Sequence, residues 1–322
     1  MIEATGLTKR FNGFTAVDGV SLTVGHGALL ALLGPNGAGK TTTVRMLSAI
    51  LRPTLGSARI NGFDVVTEAE QVRRHIGLLT EQPGLYSRST GLEYVTFYGR
   101  LYGMDDDHIK RRALELFERF NMPNTAQRRL GEYSKGMRQK VGIIRAMLHD
   151  PAVLLLDEPT SAMDPHSAKL VRDAILELRD DRRAIIVCSH NLAEAELLAD
   201  RIAIISEGKI IAEDDPATLK KQMQHRQRFE LRVDRSIEPS PNGRPNERPN
   251  GQPIGLETEL SDLVIVEEID DDTIRYLTDD PLIKNPQLVR RLDGLGLGLV
   301  ELRELAASLE DVYLNIVGGA DE

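Results

Sequence analysis

Gly34-Pro35-Asn36-Gly37-Ala38-Gly39-Lys40-Thr41-Thr42 constrains this chain more than any other stretch. A Gly-x4-Gly-Lys-Thr turn lets consecutive backbone N–H groups converge on phosphate oxygens, while Lys40 supplies charge to the β- and γ-phosphates and the Thr41 hydroxyl can ligate Mg2+. The flanks fit that use. Ala28 to Leu33 is an apolar run that reads as a buried strand, and Val44, Leu47 and Leu51 recur at helical spacing through Thr42 to Leu51. A phosphate would therefore rest on a helix N-terminus. Gly34, Asn36, Gly37, Gly39, Lys40, Thr41 and Thr42 are the nucleotide-binding candidates.

A second apolar strand, Val153-Leu154-Leu155-Leu156, ends in Asp157-Glu158-Pro159. In a P-loop fold an acidic residue at such a strand end holds Mg2+, which suits Asp157. Glu158, one position on, points elsewhere and can accept a proton from an attacking water. A third buried strand, Ala184 to Ser189, delivers His190. Tyr133-Ser134-Lys135-Gly136-Met137-Arg138-Gln139 opens a helix that Ser134 can cap, leaving a positive dipole end at its start.

These segments, in this order, resemble the ATP-binding subunits of ABC transporters over about the first 220 residues. The resemblance implies that Ser134 and Gly136 belong to the family's signature, which closes on ATP held by another copy; Lys135 and Met137 depart from its usual Leu-Ser-Gly-Gly-Gln form. It also implies that Ser161-Ala162-Met163-Asp164 communicates across a dimer, that His190 is the switch histidine beside the γ-phosphate, and that Phe11 stacks on adenine, for which a π face suffices. Where the family carries a glutamine that senses Mg2+ and nucleotide, this chain has Thr80-Glu81-Gln82-Pro83. Glu81 falls on that position and Gln82 follows it, so both are candidates.

The expected fold is α/β: a P-loop NTPase core with a parallel sheet, a small antiparallel β-subdomain and a helical subdomain over about 86–150, all within residues 1–225. Val20, Leu22 and Val24 alternate with polar residues as a half-exposed antiparallel strand does, and Thr90-x-x-Glu93 is a capping box at the head of the helical stretch. Beyond it, 236–256 carries five prolines and reads as a linker. Residues 257–322 form a small α+β domain, with strands at 263–266, 273–277 and 300–303, helices at 287–292 and 308–316, and the strand 227–235 as a further partner.

Composition narrows the function classes. The net charge of −9 gives no basic footprint for nucleic acid, and no apolar run approaches the roughly 18 residues of a membrane helix. Lys110-Arg111-Arg112, Arg128-Arg129 and Arg182-Arg183 read as solvated faces beside acidic neighbours. The single cysteine, Cys188, suits a reducing cytosol, and the first residues lack the features of a signal peptide. The expectation is an ATPase that uses ATP and Mg2+ to power an ABC transporter of the exporter-like branch. It would act as a homodimer with a separate transmembrane permease, be cytoplasmic, and meet the membrane's inner face only through that permease. The alternative is a soluble ABC-type ATPase acting on ribosomes or nucleic acid.

Overall fold

A computed structural model describes residues 1–161, 163–222, 227–234, 255–270 and 272–305. The chain divides into two compact units, Met1–Leu219 and Lys220–Glu322.

The first unit opens with β1 (Ile2–Phe11) and β2 (Phe14–Val24), joined by Asn12 and Gly13, both at positive φ as a two-residue hairpin turn demands. β3 (Leu29–Leu33) leads through the phosphate loop into α1 (Lys40–Leu47). That helix stops short of the expected Leu51. Ala49 adopts a φ of 55°, and the N–H groups of Ile50 and Leu51 fold back onto Arg45 O. β4 (Leu55–Ile60), β5 (Phe63–Asp64), α2 (Ala69–His75) and β6 (Ile76–Leu79) follow.

The helical region comprises α3 (Gly91–Leu101), α4 (Asp106–Arg119) and α5 (Lys135–Met147). The Thr90/Glu93 capping box forms in full, with Thr90 N–H donating to Glu93 Oε2 at 2.8 Å and Glu93 N–H to Thr90 Oγ1 at 3.1 Å. Then come β7 (Val153–Asp157), α6 (Pro165–Glu177), β8 (Ala184–Ser189), α7 (Leu192–Leu198), β9 (Arg201–Ser206), β10 (Lys209–Asp214) and α8 (Pro216–Gln222).

The strands sort into an antiparallel sheet of order β2-β1-β4-β5 and a six-stranded sheet of order β10-β9-β3-β8-β7-β6, parallel except for its β10 edge. Alternation explains why the central strands are apolar at every position. Leu30, Leu32, Val153, Leu155, Ile186 and Cys188 pack with α1 and the antiparallel sheet, while Leu29, Leu154, Leu156, Ile185 and Val187 pack with α3, α4 and α5. The helical region is thus continuous with one face of the sheet. The C-terminal ends of β3, β7 and β8, where hydrophobic cover runs out, are where the polar site residues emerge.

The second unit contains β11 (Gln227–Asp234), α9 (Leu256–Leu260), β12 (Ile265–Asp270), β13 (Thr273–Thr278), α10 (Pro281–Gly294) and β14 (Gly298–Leu305), in a sheet of order β12-β13-β11-β14. β11 lies inside that sheet, antiparallel to both neighbours, and its Phe229, Leu231 and Val233 join Ile274, Tyr276, Leu288 and Leu292 in one core. The division between units falls at Leu219, a few residues before the expected 225. Two local expectations change. Leu263 and Val264 do not start a strand, because their N–H groups close the end of α9 on Leu260 O. α10 begins at Pro281 under an Asp280 cap and continues through Pro286, well before Gln287. Of the expected linker only residues 255 and 256 are described; the expected helix at 308–316 and Ala162 lie outside the described residues.

Arg183 corrects the reading of Arg182-Arg183 as a solvated face. Arg182 is exposed, but Arg183 is buried and donates to Pro151 O at 3.0 Å, Leu178 O at 2.6 Å and Asp150 Oδ1 at 2.8 Å. Its guanidinium ties the end of α6 to the loops entering β7 and β8. Replacing it leaves two carbonyls without a donor, so Arg183→Met is expected to lower the unfolding free energy by about 2–4 kcal/mol. Urea denaturation checks this, and a loss below about 0.5 kcal/mol, the range of ordinary surface changes, contradicts it.

Candidate active site

The phosphate loop is shaped by glycines that nothing larger could replace. A Cβ on Gly34 would lie 2.3 Å from Ile205 O, and one on Gly39 would lie 2.7 Å from Ala16 O, with Gly39 at a φ of 107°. Gly39 caps α1 without a side chain, so the N–H groups of Lys40, Thr41 and Thr42 begin the helix with no acceptor inside it. Asn36 and Gly37 form the exposed crest of the loop. Lys40 is buried, and its amine donates to Gly34 O at 2.5 Å and Pro35 O at 3.1 Å.

β7 brings the two carboxylates to that loop. Lys40 Nζ stands 3.4 Å from Glu158 Oε1, an ion-pair contact, while His190 Nδ1–H donates to Glu158 Oε2 at 2.8 Å. The ring's Nε2 is left as an acceptor in the neutral form. The structure thus brings Lys40, Glu158 and His190 together from α1, β7 and β8, as the motif order anticipates. Glu158 itself has a φ of 51°, a left-handed conformation uncommon for a residue with a side chain. Its backbone is fixed by Glu158 N–H to Cys188 O at 3.0 Å, Ser161 N–H to Glu158 O at 3.2 Å, and Gln139 Nε2–H to Glu158 O at 3.4 Å. Such strain is held only where the surroundings over-determine it.

Asp157 is 2% exposed, and its Oδ1 has no hydrogen-bond partner. Burial pushes its carboxyl above the ordinary range; the Thr41 hydroxyl and Lys40 draw it down, whereas the charges of Glu158 and Glu81 add to the rise. An orphaned, buried carboxylate oxygen beside a hydroxyl is a donor set that fits a hard divalent cation, and Mg2+ characteristically takes one or two carboxylates and completes its shell with phosphates and water. Among the described residues no group of three His, Cys, Asp or Glu side chains forms a cage for a metal.

Glu81 and Gln82 are both exposed on the segment after β6. Thr80 Oγ1 donates to Gln82 O at 2.8 Å, and Pro83 O accepts from Tyr94 OH at 3.2 Å and Arg145 Nη1 at 3.0 Å. Arg145 also donates to Leu78 O at 3.0 Å, so one side chain of α5 fixes both ends of the Glu81–Gln82 segment. Sequence reasoning missed Arg145; its signal was a charged residue in α5 set among the core positions Val141, Ile144 and Leu148.

Phe11 is 43% exposed at the hairpin tip, with Lys9 Nζ 5.1 Å from its ring centroid, so its face is not spent on the core. Ser134 caps α5, accepting from Met137 N–H at 3.2 Å, and a Cβ on Gly136 would press to 3.3 Å on Ser167 of α6. Among the described residues neither Ser134 nor Gly136 hydrogen-bonds to the phosphate loop. Asp164 caps α6 above Pro165, accepting from Ser167 N–H at 3.0 Å.

A glycine-built phosphate loop at the end of a parallel strand, facing two carboxylates and a histidine from adjoining strands, defines a P-loop ATPase. Comparison with known proteins agrees: the ABC transporter family matches residues 17–161. The chain is 41% identical over 216 residues to the ABC transporter ATP-binding protein NatA of Bacillus subtilis, spanning 66% of this chain and 88% of that one. It is 41% identical over 222 residues to the daunorubicin/doxorubicin resistance ATP-binding protein DrrA of Streptomyces peucetius, spanning 69% and 67%. With the uncharacterized ABC transporter ATP-binding protein YxlF of B. subtilis it shares 35% identity over 317 residues, 98% and 99% of the two chains. Among solved structures, an ATP-binding subunit of an ABC transporter superposes with a TM-score of 0.63 at 28% identity, covering 69% of this chain and 92% of that one. The cassette MJ0796, as a dimer in a post-hydrolysis state with ADP and Pi, gives 0.61 at 25% identity, covering 67% and 98%. The chain belongs to the ABC transporter family of ATP-binding subunits, and its activity is ATP binding and hydrolysis. None of these relatives carries the ribosome-acting alternative.

Asp157 offers a test that separates folding from function. A carboxyl whose folded-state pKa is raised makes the folded protein bind that proton more tightly than the unfolded chain does. Its ionised form therefore weakens the fold once the pH passes the ordinary carboxylate value, and fully so above the raised value. Asp157→Asn is expected to stabilise the nucleotide-free, metal-free protein at pH 7 by about 0.5–2 kcal/mol, an advantage that fades on acidification below the ordinary range. Thermal denaturation against pH reads this; an unchanged or lower melting temperature at pH 7 contradicts it.

Proposed function

We propose that two copies of this chain power an exporter through a separate membrane-spanning partner, closing on Mg2+-ATP and reopening after hydrolysis. The observation that carries this reading is Glu158 held between Lys40 and His190 at the end of β7. The drug-resistance relatives support the direction of transport, and the dimeric cassette supports the pairing. Among the described residues no helix is long and apolar enough to cross a membrane, which fits a catalytic subunit docked on the cytoplasmic face through its partner.

The geometry and the resemblance to the family together support these roles. The backbone from Gly37 to Thr42 and the amine of Lys40 hold the phosphates, and the exposed face of Phe11 takes the adenine. Thr41 and Asp157 would hold Mg2+, with Glu81 or Gln82 as a further candidate ligand; the bound ion would supply charge neutralisation to the nucleotide's phosphates. Glu158 takes a proton from the attacking water, and His190 orients that carboxylate through its Nδ1–H; its stabilisation of the reacting γ-phosphate uses the other ring nitrogen and requires that nitrogen to carry a proton as well. Ser134 and Gly136, at the open start of α5, close on the nucleotide of the other copy, so that each copy supplies half of two pockets. ATP then favours the closed pair because it touches both halves, and hydrolysis removes that differential affinity.

Glu158→Gln is expected to lower turnover by roughly 10²- to 10⁴-fold, the usual worth of a general base, while ATP still binds and the closed dimer accumulates on size-exclusion chromatography. Undiminished hydrolysis would remove Glu158 from this role. Lys40→Ala is expected to weaken nucleotide binding itself, read by titration with a fluorescent ATP analogue; an unaltered affinity contradicts the phosphate-cradle assignment.

A further inference from the structure

The ladder between β7 and β8 ends at the Asp157/Cys188 pair and the Glu158 N–H to Cys188 O hydrogen bond. Beyond it the segments following β7 and β8 border a cavity of about 300 Å³ lined by Glu158, Thr160, Ser189, His190, Asn191 and Glu194. Yet the reaction needs the Glu158 carboxylate and the His190 ring at a fixed separation, and the His190 side chain is half exposed. The sheet reaches only Glu158 N–H on one side and Ser189, paired with Leu33, on the other, so contacts beyond it must hold the two segments in register.

One carboxylate does so. Glu194, in the first turn of α7, is 7% exposed and uses both oxygens: the Thr160 hydroxyl donates to Oε2, and Arg172 Nη1 on α6 donates to Oε1 at 2.9 Å. Thr160 lies two residues past Glu158 and is itself buried. On the other side, Glu194 N–H donates to Asn191 Oδ1 at 3.1 Å, and Asn191 N–H to Ser189 Oγ at 3.0 Å, so the segment bearing His190 is laced to the same residue. Helix capping does not account for this arrangement. Asn191 already caps α7, and an acidic residue in the first turn would help the helix dipole equally well in water. Burying a charged Glu–Arg pair carries a desolvation penalty that a well-packed apolar pair avoids, so stability alone is a weak reason for it.

We infer that Thr160 and Glu194 form a clasp, anchored by Arg172, that sets the Glu158–His190 geometry, Glu194 and Thr160 being positioning residues for ATP hydrolysis. The inference rests on the roles proposed for Glu158 and His190. Among the described residues no hydrogen bond or ion pair joins Thr160, Glu194 or Arg172 to the phosphate loop, so loosening the clasp acts on the chemical step and spares nucleotide binding.

The test compares Thr160→Val, which keeps the shape and removes the hydroxyl, with Thr160→Ser, which restores it. Steady-state Mg2+-ATP hydrolysis is measured on the full chain, alongside melting temperature. Thr160→Val is expected to lose about 10- to 100-fold in kcat, the usual effect of a small misplacement of reacting groups, with KM for ATP within about twofold; Thr160→Ser is expected to recover most of the loss. Unchanged kcat in Thr160→Val, or equal loss in both variants, overturns the clasp. So does a joint loss of kcat, ATP affinity and melting temperature, which marks a structural role. Should Thr160→Val not fold, Glu194→Gln, which keeps the volume and loses the charge held by Arg172, is expected to show the same kcat-only loss, and normal turnover in it overturns the inference. Glu158→Gln run in parallel separates the two levels: if it is inactive while Thr160→Val is normal, only the clasp fails, whereas full activity in Glu158→Gln removes the reading beneath it.

Discussion

The contact between Lys40 and Glu158 is the interaction on which the site depends. It joins the start of α1, which follows β3, to the end of β7, one strand away across β8 in the same buried sheet, and both partners are almost out of solvent. Two charges in such a place contribute little net stability, because their attraction is offset by the water each has surrendered. Their value lies in geometry. The amine also binds Gly34 O and Pro35 O, and the carboxylate also accepts from His190, so phosphate loop, carboxylate and histidine form one connected polar chain. A phosphate that draws Lys40 to itself necessarily alters what Glu158 faces.

The hydrophobic architecture explains why that chain sits where it does. Strands apolar on both faces have no solvated side on which to place a charge, so polar residues are confined to their ends. β3, β7 and β8 lie side by side and end in Leu33, Asp157 and Ser189, which places Gly34, Glu158 and His190 at one rim of the sheet. Three departures from ordinary folding rules meet there: the positive φ of Glu158, the orphaned Asp157 Oδ1 and the buried Lys40. Such violations held together at one rim are an expected mark of a functional site.

Much of that rim was legible in the residues, because phosphate binding and strand-end carboxylates depend on local patterns. Gly34 to Thr42, Asp157, Glu158 and His190 announce themselves by type and spacing, and helix caps at Thr90, Ser134 and Asp164 form as their side chains predict. Long-range polar contacts are illegible for the opposite reason. Arg183 looks like surface charge because its partners lie at Asp150, Pro151 and Leu178, beyond any local window. Arg145 bridges to Leu78 and Pro83, more than sixty residues away in the chain, and Glu194 reads as a capping acid until Thr160 and Arg172 are placed beside it. Strand and helix limits shifted where backbone N–H groups found a closer acceptor than the pattern implied, as at Leu263 and Val264 after α9.

The same logic separates the two units. In the first, buried charge is tolerated where it finds polar partners: Lys40 at Gly34 O and Glu158, Arg183 at Pro151 O, Leu178 O and Asp150, and Glu194 at Thr160 and Arg172. In the second, the core of Phe229, Leu231, Ile274, Tyr276 and Leu288 is apolar apart from the Tyr276 hydroxyl, which donates to Asn285 Oδ1 at 2.8 Å. Its charged residues stay on the outer positions of the sheet, where Glu230 accepts from Arg275 and Arg303 across adjoining strands. Such exposed pairs fix strand register at small energetic gain. β11 supplies the central strand of that sheet although it precedes the proline-rich segment, so the second unit cannot be assembled from residues after that segment alone. A chain cut within 236–256 would therefore separate β11 from β13 and β14, exposing the edges of both and the apolar face that β11 covers.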